Sequence, residues 1–195
     1  MKHLPAETIQ QQLRAHFEKV VPLTDEEFTL VLARFTSRHY KKHHFLIQRG
    51  ENVKFNYFVV SGLLKLVYAD ETGKQHFLSF AMEDWWETDF QAYYTKTPAT
   101  LSLECLEDAL VFCLTLEDYY ALCTELPKMA HFFLQKMALN SIAAQQRLLS
   151  LLTTNAKERY EQLLHKYPAL AQRTSKTLLA SYLGVSRETL SRLAS

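Results

Sequence analysis

Residues 176–195 read KTLLASYLGVSRETLSRLAS, and the reading of this stretch decides how the rest of the chain is understood. Helical spacing sets Leu179, Leu183, Leu190 and Leu193 on the inward faces of two short helices. Between them lies Leu183-Gly184-Val185, where glycine permits the left-handed backbone of a tight turn. Ala180 is small where the helices must approach closely. The Ser186 hydroxyl is placed to cap the second helix, leaving Arg187, Glu188, Ser191 and Arg192 to point outward. Two short helices, a glycine-containing turn and a polar, basic second helix predict a helix-turn-helix. An ordinary helical hairpin closing a core would share part of this spacing.

Working outward, charge is unevenly divided along the 195 residues. From Thr153 onward there are seven Lys/Arg against three Asp/Glu, leaving fifteen against eighteen before it, which accounts for the net +1. A basic C-terminal part on a near-neutral body suits a phosphate-binding module. The length allows one large or two modest domains, and an apolar fraction of 48% is ample for a core. Three cysteines, Cys105, Cys113 and Cys123, match neither a zinc spacing nor a disulfide framework. No apolar run reaches the roughly 20 residues of a membrane span, and no signal peptide opens the chain. The protein is therefore expected in the cytoplasm, with reduced thiols and no membrane partner.

The period of the sequence changes twice. Ile9, Leu13 and Phe17 predict a helix over 5–17, and Thr24 with Glu27 forms a capping box that opens a second helix over 25–35. From Arg38 to Leu114 the pattern is of short strands, at 40–48, 57–60, 63–69, 74–81, 100–104 and 110–114. Turns at 49–52 and 70–73 and the Ser61-Gly62 break separate them, as in a sandwich or roll. Thr115 caps a helix from Leu116 to about Leu126, and Pro127 introduces the longest helix, over 128–152. Its Phe133, Met137, Asn140, Ala144, Leu148 and Leu151 recur at steps of three and four. This seam fits a partner helix, although packing on its own domain would use the same spacing. Thr153-Thr154-Asn155 reads as a hinge, Asn155 with Glu158 caps a helix over 156–167, and 168–175 reads as a short connector.

The run Ser186-Arg187-Glu188-Thr189-Leu190-Ser191-Arg192 closely resembles the recognition helix of the catabolite activator (CRP/FNR) family of bacterial transcription regulators. The segment Phe58-Val-Val-Ser-Gly-Leu-Leu-Lys, with Gly73 after it, resembles the central hairpin of that family's sensory domain. The resemblance implies an α+β fold: an N-terminal antiparallel β-roll of the cyclic-nucleotide-binding type (a double-stranded β-helix), a long dimerisation helix and a C-terminal three-helix helix-turn-helix domain. In this chain these would be 1–126, 127–152 and 153–195, the last without a full wing because the connector is short. The implied partners are double-stranded DNA, a second copy of the chain and RNA polymerase, and the protein would not be an enzyme. FNR-like members hold an iron–sulfur cluster with four cysteines, which this chain cannot supply.

Two candidate sites follow. Arg reads guanine O6 and N7 with two hydrogen bonds, and Glu accepts from cytosine N4. Arg187 and Glu188 lie near the helix start and Arg192 five residues on, and the resemblance assigns all three to base edges. Lys176, Ser186 and Thr189 are candidates for phosphate contacts. In the sensory domain, cyclic-nucleotide-binding relatives carry a cassette with Gly-Glu and, about ten residues on, Arg-Ser or Arg-Thr. Here Glu87 and Thr88 fall on the Gly-Glu positions and Pro98 or Ala99 on the arginine, and no arginine occurs between Gly50 and Asn140. A cyclic phosphate near Glu87 and Asp89 without an arginine would be poorly compensated. Cyclic AMP is therefore not expected to bind in the family manner. Trp85, Trp86, Thr88, Tyr93 and Thr100 are candidate lining residues for another effector, although such aromatics also serve as core. His39, His43, His44 and His76 lack the cupin spacing, and His43-His44 on a strand would face opposite ways, so no metal and no cofactor are expected. The alternative is a cupin-like β-roll that takes a small ligand or a metal and does not bind DNA.

Overall fold

The computed structural model describes residues 5–193, so the outermost residues of the first and last expected domains, 1–4 and 194–195, lie outside it. Its elements run α1 (Ala6–Glu18), α2 (Asp25–Ala33), β1 (Thr36–Tyr40), β2 (Phe45–Ile47), β3 (Phe55–Ser61), β4 (Leu64–Ala69), β5 (Gln75–Ala81), β6 (Trp86–Glu87), α3 (Phe90–Thr95), β7 (Ser102–Cys105), β8 (Ala109–Thr115) and α4 (Leu116–Glu125). They continue α5 (Pro127–Thr153), α6 (Ala156–Lys166), α7 (Pro168–Arg173), α8 (Lys176–Leu183) and α9 (Arg187–Leu193). The chain divides into two compact units between Gln135 and Lys136. The fold is α+β, with antiparallel sheets first and helices after, as the resemblance implied.

The first unit is a roll of two four-stranded antiparallel sheets, ordered β1-β8-β3-β6 and β2-β7-β4-β5. Strands β3 and β8 carry unbroken apolar runs because both faces of their sheet are covered. Tyr57, Val59, Val111 and Cys113 point between the sheets, where they meet Leu64, Leu66 and Leu103. Phe58, Val60, Leu110, Phe112 and Leu114 point the other way, into a second core closed by Leu13 and Phe17 of α1, Phe28 and Val31 of α2, and Met129, Phe132 and Phe133 of α5. Burial pushes the Cys105 and Cys113 thiols up to about 12, so both serve as core. Gly62 sits between β3 and β4 at φ +105°, and a Cβ there would lie 2.7 Å from the Asp108 carbonyl oxygen. Glycine is required by both the conformation and the space.

Several sequence expectations change. The single strand expected over 40–48 is two, because the chain crosses from one sheet to the other at 41–44. Asp108 receives the Lys42 N–H and the Lys41 ammonium there, and His43 takes a left-handed backbone with φ 68°. His43 and His44 therefore lie in a turn and not on a strand. The second helix ends at Ala33, two residues early. Asp89 caps a helix that was not expected, α3. Phe133, read as the first residue of the seam, belongs instead to the core, 4.7 Å from the Tyr119 ring.

The second unit contains the remainder of α5 and helices α6 to α9. Asn155 and Glu158 form the expected capping box at α6. The expected connector contains a short helix, α7, with Pro168 in its first turn, so four helices follow α5 where three were expected. Leu163, Leu170, Leu179, Ala180, Leu183 and Leu190 are buried and form this unit's core.

Candidate nucleic-acid interface

Local chemistry builds α8 and α9. The Ser175 hydroxyl accepts from Leu178 N to start α8, and Gly184 ends it with a left-handed backbone, φ 69° and ψ 34°. Val185 N then donates back to the Ala180 carbonyl at 3.0 Å, closing the turn. Ser186 starts α9 by accepting from Thr189 N at 3.1 Å. Leu190 is buried at 1% exposure, which fixes the rotation of α9 about its axis. With that face inward, Arg187, Glu188, Ser191 and Arg192 are exposed.

The electrostatics suit hydrogen-bond readout. The first-turn backbone N–H of Glu188 and the Ser186 hydroxyl hold the Glu188 carboxyl below its ordinary range, with smaller help from Arg187 and Arg192. It is an ionised acceptor between two guanidiniums. Lys176 is exposed at the first position of α8. Ser186 and Thr189 are more committed: their hydroxyl oxygens lie 3.1 Å apart, and Ser186 also caps the helix.

The candidate effector residues do not converge. Trp85 packs with the core between the sheets, whereas Trp86 belongs to the core under the helices. The Trp86 indole N–H donates to His16 Nε2 at 2.9 Å, so His16 Nδ1 carries a proton toward Asp84 Oδ1 at 2.6 Å. Thr88 is fully buried, with its hydroxyl on the Phe55 carbonyl, and the buried Tyr93 hydroxyl donates to the Leu114 carbonyl. Thr100 gives its N–H and its hydroxyl to Asp89 Oδ2, at 2.8 and 3.1 Å. Only Tyr93 of the five lines a surface cleft of about 390 Å³, together with Asn52, Lys54, Phe55, Lys96 and Glu117.

The carboxylates of the cassette stretch are engaged in the roll's own structure. Asp89 is buried; its Oδ1 accepts from Ala92 N, and its Oδ2 from Leu101 N as well as from Thr100. Glu87 is buried with Ser79 Oγ at 2.6 Å and Thr88 N at 3.2 Å, and burial pushes its carboxyl up to about 7. Glu83 accepts from Gly62 N at 2.9 Å. Sequence reasoning placed Asp89 in the cassette stretch but missed its capping role, although an Asp before an aromatic helical stretch is a recognisable cap.

Among the described residues, no three His, Cys, Asp or Glu side chains gather as a metal-ligand set. His43 lies by Glu104 and His76 by Asp70, in separate places. Among the described residues, no helix is long and apolar enough to cross a membrane.

Residues 37–125 match the cyclic nucleotide-binding domain family. FixK2 from Bradyrhizobium japonicum is similar in structure, with a TM-score of 0.72 at 19% identity over 82% of each chain. The catabolite activator protein of Thermus thermophilus is 27% identical, with a TM-score of 0.54 over 88% of this chain and 82% of that one. A protein from Eubacterium rectale described as a transcriptional regulator of the crp/fnr family gives a TM-score of 0.68 at 15% identity, over 88% and 82%. No curated protein sequence matches the chain. The resemblance to the CRP/FNR regulators, read first from the SRETLSR run, is borne out by these matches.

Proposed function

We propose that this chain is a sequence-specific DNA-binding transcription regulator of the CRP/FNR type, working in the cytoplasm as a dimer on a palindromic operator. One observation carries the reading: α9 buries Leu190 and thereby presents Arg187, Glu188 and Arg192 together to solvent. An α-helix fits the major groove, and Arg and Glu near its start are suited to guanine and cytosine edges. Lys176, Ser186 and Thr189 would meet phosphates, which position the helix without specifying sequence.

Dimerisation draws support from α5. Leu134, Met137, Ile142, Leu148, Leu149 and Leu152 are exposed along it, Leu134 and Leu152 at 70% and 75%. A second α5 would cover such a row, as in a two-stranded coil. Movement at 153–155 would then set the separation of the two recognition helices, and an effector would act only through different affinity for the two arrangements. RNA polymerase is the further partner of a regulator of this type.

The β-roll is read as a domain that does not take cyclic AMP in the family manner. The N–H groups of Thr100 and Leu101 already serve Asp89, Glu87 is buried on Ser79 and Thr88, and neither Pro98 nor Ala99 supplies the guanidinium that a cyclic phosphate would need. Fluorescence binding to duplex DNA at low and high salt tests the main reading, with binding expected to weaken steeply as salt rises. Failure to bind any duplex at low salt would reject it. Calorimetry with cyclic AMP tests the second part, and tight saturable binding would reject that alone.

A further inference from the structure

The last turn of α8 is held from both sides of the 153–155 stretch. Carbonyl groups at a helix C-terminus have no partner within the helix, and cations are favoured there. Arg147, on α5, donates from Nη2 to the Tyr182 carbonyl at 2.9 Å. Its guanidinium carbon also lies 3.7 Å from the centre of the Tyr182 ring. Arg159, on α6, donates from Nε to the Leu183 carbonyl at 3.0 Å and from Nη1 to the Thr154 carbonyl. Both of these α8 carbonyls are therefore gripped by arginines, one preceding and one following the hinge. Leu151 of α5 lies near the same turn, its Cδ2 3.8 Å from the place a Cβ on Gly184 would take.

Arg147 stands out in the sequence as well. It is the sole charged residue of α5 after Lys136. A guanidinium that stacks on a ring while donating in its own plane is fixed in position and direction, a geometry that a lysine ammonium does not reproduce. The grip extends to α9, because the Gly184 turn and the Val185–Ala180 bond join α8 to it directly.

We infer that Arg147 is a positioning residue that ties α8, and through it the recognition helix, directly to α5. The placement of α5 then reaches α9 across the hinge by a side-chain strut, which any movement at 153–155 would have to release or carry along. This inference rests on the DNA-binding reading above and adds a role to a residue outside the proposed recognition face. Its expected consequence is control over half-site spacing: two recognition helices held to a common pair of α5 helices tolerate little change in their separation.

The test uses the full chain and a palindromic duplex selected by the wild-type protein, the same duplex with one base pair added or removed at its centre, and a single half-site. Arg147→Ala and Arg147→Lys are expected to reduce the wild-type preference for the natural spacing by about 5-fold or more, the lower end of ordinary coupling between sites. Half-site affinity should stay within about 2-fold of wild type, since the base-contacting residues are untouched. Tyr182→Leu, which removes the ring and keeps the carbonyl, should reproduce the loss, and Tyr182→Phe should behave as wild type. The Tyr182 pair carries the test even if Arg147→Ala fails to fold. Unchanged spacing preference in Arg147→Lys and Tyr182→Leu would overturn the inference and leave DNA binding standing. Equal losses on half-site and full operator would also overturn it, showing a merely structural role. A wild-type protein that binds no duplex would reject the DNA-binding reading itself, and this inference with it.

Discussion

The cassette stretch at 83–101 and the recognition stretch at 186–192 are both short, polar and flanked by structure, yet the fold treats them in opposite ways. In the first, Glu87 and Asp89 are buried and accept hydrogen bonds from Ser79, Thr88, Ala92, Thr100 and Leu101. In the second, Arg187, Glu188 and Arg192 are exposed, and the buried anchor is Leu190. A buried carboxylate is tolerated only when hydrogen-bonded, so acids in the roll hold the roll together. Polar groups held outward by a rigid apolar face remain available to a partner. The difference separates polar residues that stabilise the roll from polar residues that the proposed function assigns to recognition.

Substitutions can break that contrast, and the largest effect should come from Asp89. Asp89→Ala leaves the buried Ala92 N–H and the part-buried N–H groups of Thr100 and Leu101 without their acceptor, at a cost of about 3 kcal/mol in urea unfolding. A loss below about 1 kcal/mol would mean that the carboxylate is not structural. Glu87 comes next. Its folded carboxyl titrates at about 7 against an ordinary 4.5, so the folded state holds the proton more tightly. Its contribution to stability is full below pH 4.5, falls as pH rises to about 7, and is level above that. Relative to Glu87→Gln, the wild type should lose on the order of 3 kcal/mol across that window. Parallel pH profiles for the two proteins would contradict this.

The other side of the contrast should show in binding and not in unfolding. Arg187→Ala is expected to lose about 2 kcal/mol on the cognate duplex, to relax choice at one base pair, and to unfold as the wild type does. Equal loss on random DNA, measured by fluorescence anisotropy, would count against a base contact. The smallest effect belongs to Lys176→Ala, which should weaken all duplexes alike and lower the salt slope by about 0.9. A sequence-dependent loss there would move Lys176 from the phosphates to the bases.

What could be read from the sequence was whatever local spacing determines. The capping boxes at Thr24–Glu27 and Asn155–Glu158, the left-handed Gly184 and the outward face of α9 all depend on residues within a turn or two of one another. Features that depend on distant partners were missed. The break at 41–44 exists because β1 pairs with β8 and β2 with β7, which nothing within 40–48 encodes. Trp85 and Trp86 read as one lining in the sequence, but Trp85 precedes β6 and packs between the sheets, whereas Trp86 on β6 packs under the helices. Phe133 fitted the helical seam by period, whereas the Tyr119 and Trp86 rings decide its place. The strut from Arg147 to Tyr182 spans 35 residues and has no local signature beyond one charge in an uncharged run.

The most direct test of the account is selection of duplexes from a random pool by the 195-residue chain. It predicts recovery of a palindrome whose half-sites lie about 10 base pairs apart, one helical turn, or a multiple of that. A recovered pool no different from the input, at a salt concentration where the protein binds DNA, would contradict it.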